Sequence, residues 1–287
     1  MALKIIDGHS HMINVNIIKN MLNNISETEK QRLSHEFTEK NIEEHKKARL
    51  EAMDKFNIEK TVFMGTTHMS HNFIDFINSS DRFYGMAPIN PSEEDALDKL
   101  EKEIKAGMSG VKMYPSQLGF NVGDSKCYPI YEFCEKHKLP IVIHFGVSIG
   151  RAADLRYGNP VMLSRVLRDF PNINFVIAHF GAGYFREVLM LKYKQENLFV
   201  DSSGTNNWMV HQDLPLTLKD IFKKSIEVFG SQGIIFGSDT RIFPNGYRES
   251  ILKAQLKVLD ELNLKEEEKE NIMYNNAKRI LLMEKSK

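Results

Sequence analysis

The feature that most constrains the fold is an alternation of short apolar strands with amphipathic helices along the whole chain. Each strand is followed by a loop that contains glycine, proline or serine, and then by a helix whose apolar residues are three and four positions apart. The segments that fit the strand pattern are residues 3–6, 61–64, 83–87, 110–113, 141–144, 175–179, 198–201 and 234–237. Near-continuous apolar strands that alternate with helices predict a parallel sheet covered on both faces.

Eight such units, without a linker, a low-complexity tract or an internal sequence repeat, predict one slightly distorted (β/α)8 TIM barrel over residues 1–287. The alternative is an open doubly wound sheet, but its dinucleotide signature Gly-x-Gly-x-x-Gly is missing after the first strand. Residues 13–38 interrupt the rhythm and are predicted to be an insertion after strand one. A lid and an ordinary helical excursion are both compatible with that segment. The loop over residues 204–215, which carries the only tryptophan, is the better lid candidate.

Composition argues against several classes of function. Lys+Arg and Asp+Glu number 38 each, so the chain has no net charge with which to hold nucleic acid or anionic lipid. No apolar run approaches the ~18–20 residues that a membrane helix needs. Cys127 and Cys134 form no Cys-x-x-Cys motif and no signal peptide is recognisable, so we expect free thiols in a cytoplasmic protein. The expected partner is a small-molecule substrate, and assembly into a homo-oligomer is left open.

Residues that can bind a metal lie at the ends of the predicted strands. His9 and His11 follow the first strand two positions apart, so both can point to one side of an extended backbone. His144, His179 and Asp239 end or follow the fifth, sixth and eighth strands. In a barrel the carboxyl ends of all strands meet on one face. A single histidine would be interpreted as a hydrogen-bonded rim residue, but this joint pattern predicts a metal site.

These segments resemble the amidohydrolase superfamily, and within it the amidohydrolase-related (amidohydrolase 2) branch of metal-dependent hydrolases and decarboxylases. The resemblance covers almost the whole chain. It rests on Asp7-Gly8-His9-Ser10-His11, Gly110-Val111-Lys112-Met113-Tyr114-Pro115, Ala178-His179-Phe180-Gly181, Phe236-Gly237-Ser238-Asp239 and Asn276-Ala277-Lys278-Arg279-Ile280-Leu281. One departure is Thr240-Arg241, where the branch often has proline after the aspartate. The substrate is therefore not carried over from a relative.

The resemblance implies a ligand set. His9, His11, His144 and Asp239 would be metal ligands, and His179 would be either a ligand to a second ion or a catalytic group. Imidazole and carboxylate ligands without thiolate suit Zn²⁺, and also Mn²⁺ or Fe²⁺. One or two ions are compatible with the sequence.

Lys112, on the fourth strand, decides between one ion and two. Some members of the superfamily carry a carboxylated lysine there that bridges two ions. The alternative, which we favour slightly, is a plain ammonium that pairs with an aspartate or with a substrate carboxylate. That alternative implies one metal ion.

The main functional expectation is a metal-dependent hydrolase, in which metal-activated water attacks an amide, lactone or ester carbonyl. Asp239 would act as the base and His179 would stabilise or protonate the carbonyl oxygen. A decarboxylase of a small, aromatic or other, carboxylic acid is the alternative, and a non-catalytic metal-binding sensor is a third. The substrate-contact candidates are Tyr114, Arg151, Trp208 and Arg241, with Phe145, Arg156, His211 and Arg248 as further rim residues. Asp201, at the end of strand seven, is expected to cap or orient a neighbouring group.

Overall fold

The computed structural model describes residues 3–12, 41–66, 72–148, 153–193, 195–242 and 246–282. The strands in this part of the chain are β1 (Ile5–His11), β2 (Ile58–Met64), β3 (Phe83–Pro88), β4 (Gly110–Met113), β5 (Ile141–Ile143), β6 (Phe175–Ile177), β7 (Leu198–Asp201), β8 (Ile234–Ile235) and β9 (Thr240–Arg241). They form one sheet in the order β8-β7-β6-β5-β4-β3-β2-β1-β9, with every neighbouring pair parallel. Strands β1 to β8 thus lie side by side in the order of the sequence, as the strand–helix rhythm predicted.

Helices connect these strands. The α-helices are α1 (Ile42–Lys55), α2 (Asn72–Asn78), α3 (Ala96–Lys105), α4 (Pro115–Leu118), α5 (Tyr128–Lys136), α6 (Ser164–Asp169), α7 (Phe185–Leu191), α8 (Leu218–Phe229), α9 (Glu249–Glu261), α10 (Glu266–Glu270) and α11 (Asn276–Leu281). Short 3₁₀ turns cover Ser125–Cys127, Leu155–Tyr157, Pro160–Leu163, Ala178–Gly181, Asn207–His211 and Ser231–Gly233, and a π turn, Asn271–Asn275, lies between α10 and α11. Among the described residues, no helix is long and apolar enough to cross a bilayer.

The two ends of the sheet are joined by residues 234–241. Strand β8 pairs with β7, and β9 pairs with β1 through Ser10↔Thr240 and His11↔Arg241. Between them, the amide of Gly8 donates to the carbonyl of Phe236 at 2.9 Å. A Cβ on Gly8 would lie 2.6 Å from the side chain of Ile235, so this close approach requires glycine. The sheet therefore curls into an α/β barrel.

Strand alternation divides the apolar residues into two layers. Ile141 and Ile143 of β5 belong to the large cluster between the sheet and the helices, whereas Val142 belongs to a smaller cluster on the opposite face. The smaller cluster also contains Ala277, Ile280 and Leu281 of α11. Because successive side chains of a strand point to opposite faces, strands buried on both sides read as continuous apolar runs in the sequence.

The strand bounds differ from the prediction at the functional residues. β1 runs to His11 and so includes both histidines, whereas the predicted strand ended at residue 6. β6 ends at Ile177 because His179 and Phe180 have left-handed φ values of 54° and 52°. The predicted eighth strand, residues 234–237, ends at Ile235, and regular pairing resumes only beyond Asp239, whose φ is 54°. The predicted insertion over residues 13–38 lies outside the described residues.

Candidate metal centre and active site

Four imidazole rings lie side by side at the carboxyl ends of β1, β5 and β6. The ring centroids of His9 and His11 are 5.3 Å apart, those of His9 and His179 are 4.8 Å apart, and those of His179 and His144 are 4.9 Å apart. The three strands are far apart in sequence, and parallel strand pairing places their ends on one rim. All four histidines predicted from the strand ends thus form one group.

His9 is held by a carboxylate from β7. Its Nδ1 lies 2.8 Å from Asp201 Oδ2, and both side chains are 1% exposed. A carboxylate only accepts hydrogen bonds, so Nδ1 carries the proton and donates it to Asp201. The other ring nitrogen, Nε2, is buried and has no hydrogen-bond partner in the described part of the chain. A lone pair directed into a protein interior without a donor is what a metal-binding imidazole presents.

His11 and Asp239 face each other across the join between β1 and β9. His11 Nδ1 lies 3.2 Å from the carbonyl oxygen of Met64, to which it donates. His11 Nε2 then directs a lone pair at Asp239 Oδ1, 3.2 Å away. Two acceptors at this distance require a proton or a cation between them. Nitrogen and oxygen ligands that share a tetrahedral ion at ~2.0–2.2 Å lie about 3.4 Å apart, so the pair fits a metal ion.

Two sets of three residues have ligand atoms that all lie within 4.8 Å of one another. One set is His9, His11 and Asp239, and the other is His9, His179 and Asp201. His144 belongs to neither set; it lies beside His179, with Nε2 3.2 Å from the carbonyl oxygen of Val147. The two sets share His9, so this residue is the centre of the cluster.

The backbone shape of the loop after β6 places His179. Positive φ angles at His179, Phe180 and Ala182 turn the chain back over the strand end. The amide of His179 donates to Asp201 Oδ1 at 3.0 Å, and its Nδ1 lies 3.0 Å from the carbonyl oxygen of Ser203. Asp201 therefore fixes His9 and His179 together. With Nδ1 occupied, Nε2 is the nitrogen of His179 that remains for a substrate or a metal.

Asp239 is fixed from two further directions. Its amide donates to the carbonyl of His9 at 2.8 Å, and its Oδ2 accepts from Arg248 Nη1 at 3.0 Å. Gly237 explains part of the Gly-Ser-Asp motif, because a Cβ there would lie 2.7 Å from the Cβ atoms of both His9 and Ser203. Small residues thus allow the segment that bears Asp239 to pack directly on His9.

Lys112 lies near the end of β4, close to this cluster. Its side chain is 0% exposed, its Nζ has no hydrogen-bond partner among the described residues, and it lies 5.0 Å from the ring centroid of Tyr114. Burial lowers its pKa to about 8, although the charges of Asp201 and Asp239 oppose that shift. A buried amine without a partner is costly, so Lys112 is suited to bind something that the protein itself does not supply.

Burial also sets the charge of the other groups. It lowers the pKa of His9 to about 4, against the charge of Asp201, and it lowers that of His144 well below the ordinary value. For Asp239 burial favours the neutral acid, but a proton on the facing His11 Nε2, through its hydrogen bond and charge, outweighs that effect and holds the pKa well below the usual range. At neutral pH the imidazoles of His9 and His144 are neutral and the Asp239 carboxylate is ionised, which are the forms that bind metals.

A comparison with protein-family models matches residues 6–282 to the amidohydrolase family. The chain belongs to the amidohydrolase family. The resemblance seen in the sequence motifs is therefore confirmed, and so is the expectation of an enzyme, because the family contains hydrolases and decarboxylases. The alternative of a non-catalytic sensor loses its support. A search of curated proteins found no match.

Solved structures share the fold of this amidohydrolase at low sequence identity. An uncharacterised TIM-barrel protein from Bordetella bronchiseptica is 21% identical with a TM-score of 0.70, over 97% of this chain and 98% of that chain. A probable 2-pyrone-4,6-dicarboxylic acid hydrolase from Acinetobacter baumannii, with citric acid bound, is 16% identical with a TM-score of 0.68, over 97% and 99%. A 5-carboxyvanillate decarboxylase from Novosphingobium aromaticivorans, with manganese bound, is 15% identical with a TM-score of 0.65, over 98% and 97%. Their likeness supports the α/β barrel.

Two of the four predicted substrate contacts are buried and bonded within the protein, and a third keeps an unpaired nitrogen. Tyr114 is buried and donates its hydroxyl to the carbonyl of Gly65 at 2.9 Å. Trp208 is buried too, and its indole donates to Asn206 Oδ1 at 3.0 Å. Arg241 lies on β9, two positions after Asp239, and its buried Nε has no partner among the described residues. Arg151 lies outside the described residues.

Sequence reasoning did not find Arg49 of α1, a buried guanidinium that reaches the strand ends carrying His11 and Asp239. One signal was available in the sequence. Arg49 lies four residues before Met53 and four after His45, and these three are the buried residues of the helix. A cation on the apolar stripe of an amphipathic helix must have buried partners. The sequence alone does not tell which partners they are.

Proposed function

We propose that this amidohydrolase is a metal-dependent hydrolase of a small molecule that carries a carboxylate. One observation carries the proposal: His9, His11 and Asp239 offer ligand atoms that all lie within 4.8 Å of one another. Within this set His11 Nε2 and Asp239 Oδ1 face each other at 3.2 Å, and His9 Nε2 is buried without a partner among the described residues. His9, His11, His144 and Asp239 would hold the ion, as the family motifs imply. His179 would be the catalytic histidine.

The donor set suits Zn²⁺, Mn²⁺ or Fe²⁺, since it offers imidazole nitrogen and carboxylate oxygen but no thiolate. Cys127 and Cys134 are both buried within the helical layer, away from these ligands. The manganese bound to the related decarboxylase makes Mn²⁺ a test metal of equal rank with zinc. Such an ion would supply Lewis-acid chemistry, polarising a carbonyl and making water nucleophilic near neutral pH.

Asp239 would remove the proton from the attacking water. Its Oδ2 is bonded to Arg248 and its Oδ1 faces His11, where it would hold the ion, so the carboxylate would take the proton on a remaining lone pair. Its backbone is fixed by the carbonyl of His9, so the carboxylate is held before the substrate arrives. A base fixed in this way loses little entropy on reaching the transition state.

His179 would act on the opposite side of the scissile carbonyl. Its Nδ1 donates to the carbonyl of Ser203, so Nε2 is the atom that faces the substrate. To act as the acid the ring would be an imidazolium, which gives its Nε2 proton to the oxygen or the leaving group and regains one from the proton that Asp239 takes from water. The contact between Asp201 and its backbone amide holds this orientation. Asp239 and His179 would thus divide the roles of base and acid.

Two basic side chains, each with a buried nitrogen that has no hydrogen-bond partner among the described residues, support a carboxylate on the substrate. Lys112 Nζ and Arg241 Nε are both buried and unpaired within the described residues. Desolvated cations without hydrogen bonds are unfavourable, and a carboxylate would satisfy both in the charge-assisted geometry that arginine and lysine provide. In this proposal Lys112 is a plain ammonium and the site holds one ion. A bridging carboxylated Lys112 with two ions is the alternative.

Decarboxylation is the second candidate, and the same two cations favour it. A carboxylate placed on Lys112 and Arg241 beside His179 is also a substrate whose neighbouring carbon could be protonated before loss of carbon dioxide. The structural neighbours include decarboxylases of aromatic acids as well as the hydrolase. We place hydrolysis first because Asp239 is fixed and ionised as a base for water.

The test begins with the full chain stripped of metal by a chelator and reloaded with Zn²⁺, Mn²⁺ or Fe²⁺. Each form is assayed on lactones, N-acyl compounds and aromatic acids that carry a carboxylate, with acid release and carbon dioxide measured separately. Metal-restored acid release supports hydrolysis, and carbon dioxide release supports the second candidate. Asp239→Asn should abolish either activity, whereas Asp154→Asn, at a surface ion pair with Arg156, should retain it. Full activity of the metal-free protein would refute the proposal.

Four expectations about the organisation, location and assembly of the chain remain predictions. They are a single domain over residues 1–287, a barrel of eight strand–helix units with an inserted segment after β1, a cytoplasmic location and assembly into a homo-oligomer. Limited proteolysis tests the domain organisation. Sedimentation tests the assembly.

A further inference from the structure

Arg49 is a buried cation placed by a well-defined helix. Helix α1 begins with a capping box, in which Asn41 Oδ1 accepts from the amide of Glu44 at 2.9 Å and Glu44 Oε2 accepts from the amide of Asn41 at 3.0 Å. Two turns later the side chain of Arg49 enters the core, and the residue is only 2% exposed. Its guanidinium lies 4.9 Å from the ring centroid of Phe63 on β2. The helix therefore places a buried guanidinium against the sheet.

The hydrogen bonds of Arg49 all reach the join between β1 and β9. Nη1 donates to Ser10 Oγ at 2.8 Å, and Nη2 lies 3.2 Å from the carbonyl oxygens of both His11 and Thr240. Ser10 Oγ in turn donates to the carbonyl of Thr240 at 2.8 Å. One side chain thus bonds the backbone of the ligand His11 and that of the residue after Asp239.

The strand pairing at this join is short. The two strands pair only over Ser10↔Thr240 and His11↔Arg241 in the described residues, and Asp239 just before them has a left-handed backbone. The carboxylate of Asp7 supplies the opposite charge, and it accepts from the amide of Ser238 at 2.9 Å. Burying a guanidinium costs desolvation energy even when it has three acceptors and a carboxylate nearby, and an ordinary pair of strands does not require one.

We propose that Arg49 is a positioning residue for the metal centre, which sets the spacing between His11 and Asp239 by bonding the backbones of both strands. The inference rests on the proposed metal site. Arg49 touches neither the ion nor the substrate in this scheme. It acts through the two ligands, whose nitrogen and oxygen atoms lie 3.2 Å apart across the join.

The test compares Arg49→Met and Arg49→Lys with the unaltered full chain. Mn²⁺ affinity is measured by electron paramagnetic resonance, and the geometry of the site by the visible absorption of Co²⁺. Replacement of groups that orient metal ligands typically weakens metal binding roughly 10–100-fold. We expect a loss of that size in both variants, together with an altered Co²⁺ spectrum.

Arg82 offers a matched control. It also donates to two backbone carbonyls, those of Glu59 and Ile58, and pairs with Asp54 of α1, but it does so at the start of β2, at the other end of the barrel. Arg82→Met should lower the melting temperature and leave Mn²⁺ affinity and the Co²⁺ spectrum unchanged. If the Arg49 variants also lose stability but keep Mn²⁺ affinity and the Co²⁺ spectrum, Arg49 has only an ordinary structural role.

Each outcome decides between the alternatives. If Arg49→Met does not fold, metal affinity is measured on Arg49→Lys, which keeps the charge beside Asp7 but cannot reach both carbonyls. Unchanged affinity and an unchanged Co²⁺ spectrum in a folded Arg49 variant would overturn the inference while the proposed function stands. If the unaltered chain binds no metal, the proposed function and the inference are both wrong.

Discussion

Replacing Asp201 by asparagine should disable His9 as a ligand while preserving the shape of the site. Asp201 Oδ1 accepts from the amides of His179 and Ser203 at 3.0 and 3.1 Å, and also from the Ser203 hydroxyl, so the amide oxygen of the new asparagine must occupy this position. Its NH₂ group then faces His9 Nδ1, where the carboxylate now accepts at 2.8 Å. Two donors cannot face each other, so the proton of His9 moves to Nε2. Nε2 is the atom that the metal needs.

The expected loss follows from this change of tautomer. Altered partners of metal-binding histidines cost roughly 10–100-fold in affinity, which is about 1.4–2.7 kcal/mol. Both side chains are 1% exposed, so water cannot compensate. We expect Mn²⁺ affinity to fall by this factor, and nitrogen-15 NMR of labelled histidine to show His9 protonated at Nε2. Asp169→Asn, at a surface carboxylate bound to Arg165 and Arg168, is the control. Unchanged affinity, or a proton that stays on Nδ1, would refute the reasoning.

Three further predictions concern the substrate, the ion and the core. Lys112→Met and Arg241→Met should each raise KM for a carboxylate substrate about 10- to 100-fold, since a hydrogen bond to a charged group is worth roughly 1.5–3 kcal/mol. Steady-state kinetics measure this effect, and an equal rise in KM for an uncharged analogue would contradict the role. Adding the cognate metal at about 100 times its Kd should stabilise the fold by about 2.7 kcal/mol, and a thermal melt that does not move would exclude a specific site. Phe63→Ala should cost about 3–5 kcal/mol in denaturant unfolding, because Phe63 is 0% exposed and packs on Phe76 and Phe83 at 5.0 and 5.2 Å; a loss below about 1 kcal/mol would show that the site repacks.

The sequence predicted the barrel because strand and helix periods are local properties. Residues 141–143 and 175–177 are apolar on both faces, and the structure buries both faces. The strand ends were less predictable. Asp239 and His179 adopt left-handed backbones, which Asp and His enter more often than most residues but still too rarely for the residue type to indicate it in a sequence. Tertiary contacts such as the amide of His179 on Asp201 impose it.

The candidate site divides in the same way. His9, His11, His144 and His179 could be located because a barrel brings strand ends to one rim whatever the details of packing. Their partners could not be assigned, since a hydrogen bond such as that of His9 with Asp201 joins residues 192 positions apart. Asp201 was expected to orient a neighbour, but only the fold identifies His9 and His179 as its partners. Arg49 shows the limit more clearly, because its helix pattern implies burial and says nothing about the join it bonds.

The position of that join links metal binding to closure of the barrel. His11 belongs to β1 and Asp239 immediately precedes β9, so an ion bound to both would cross-link the two strands where they share only two residue pairs among the described residues. Binding energy at such a place also opposes local opening, because separating β1 from β9 would remove two ligands together. Amide hydrogen exchange at Ser10 and Asp239 should therefore slow on metal addition more than exchange in β4 and β5, where no ligand pair bridges neighbouring strands in the proposed site. Uniform slowing across the sheet would indicate that the ion stabilises the fold without acting on the join.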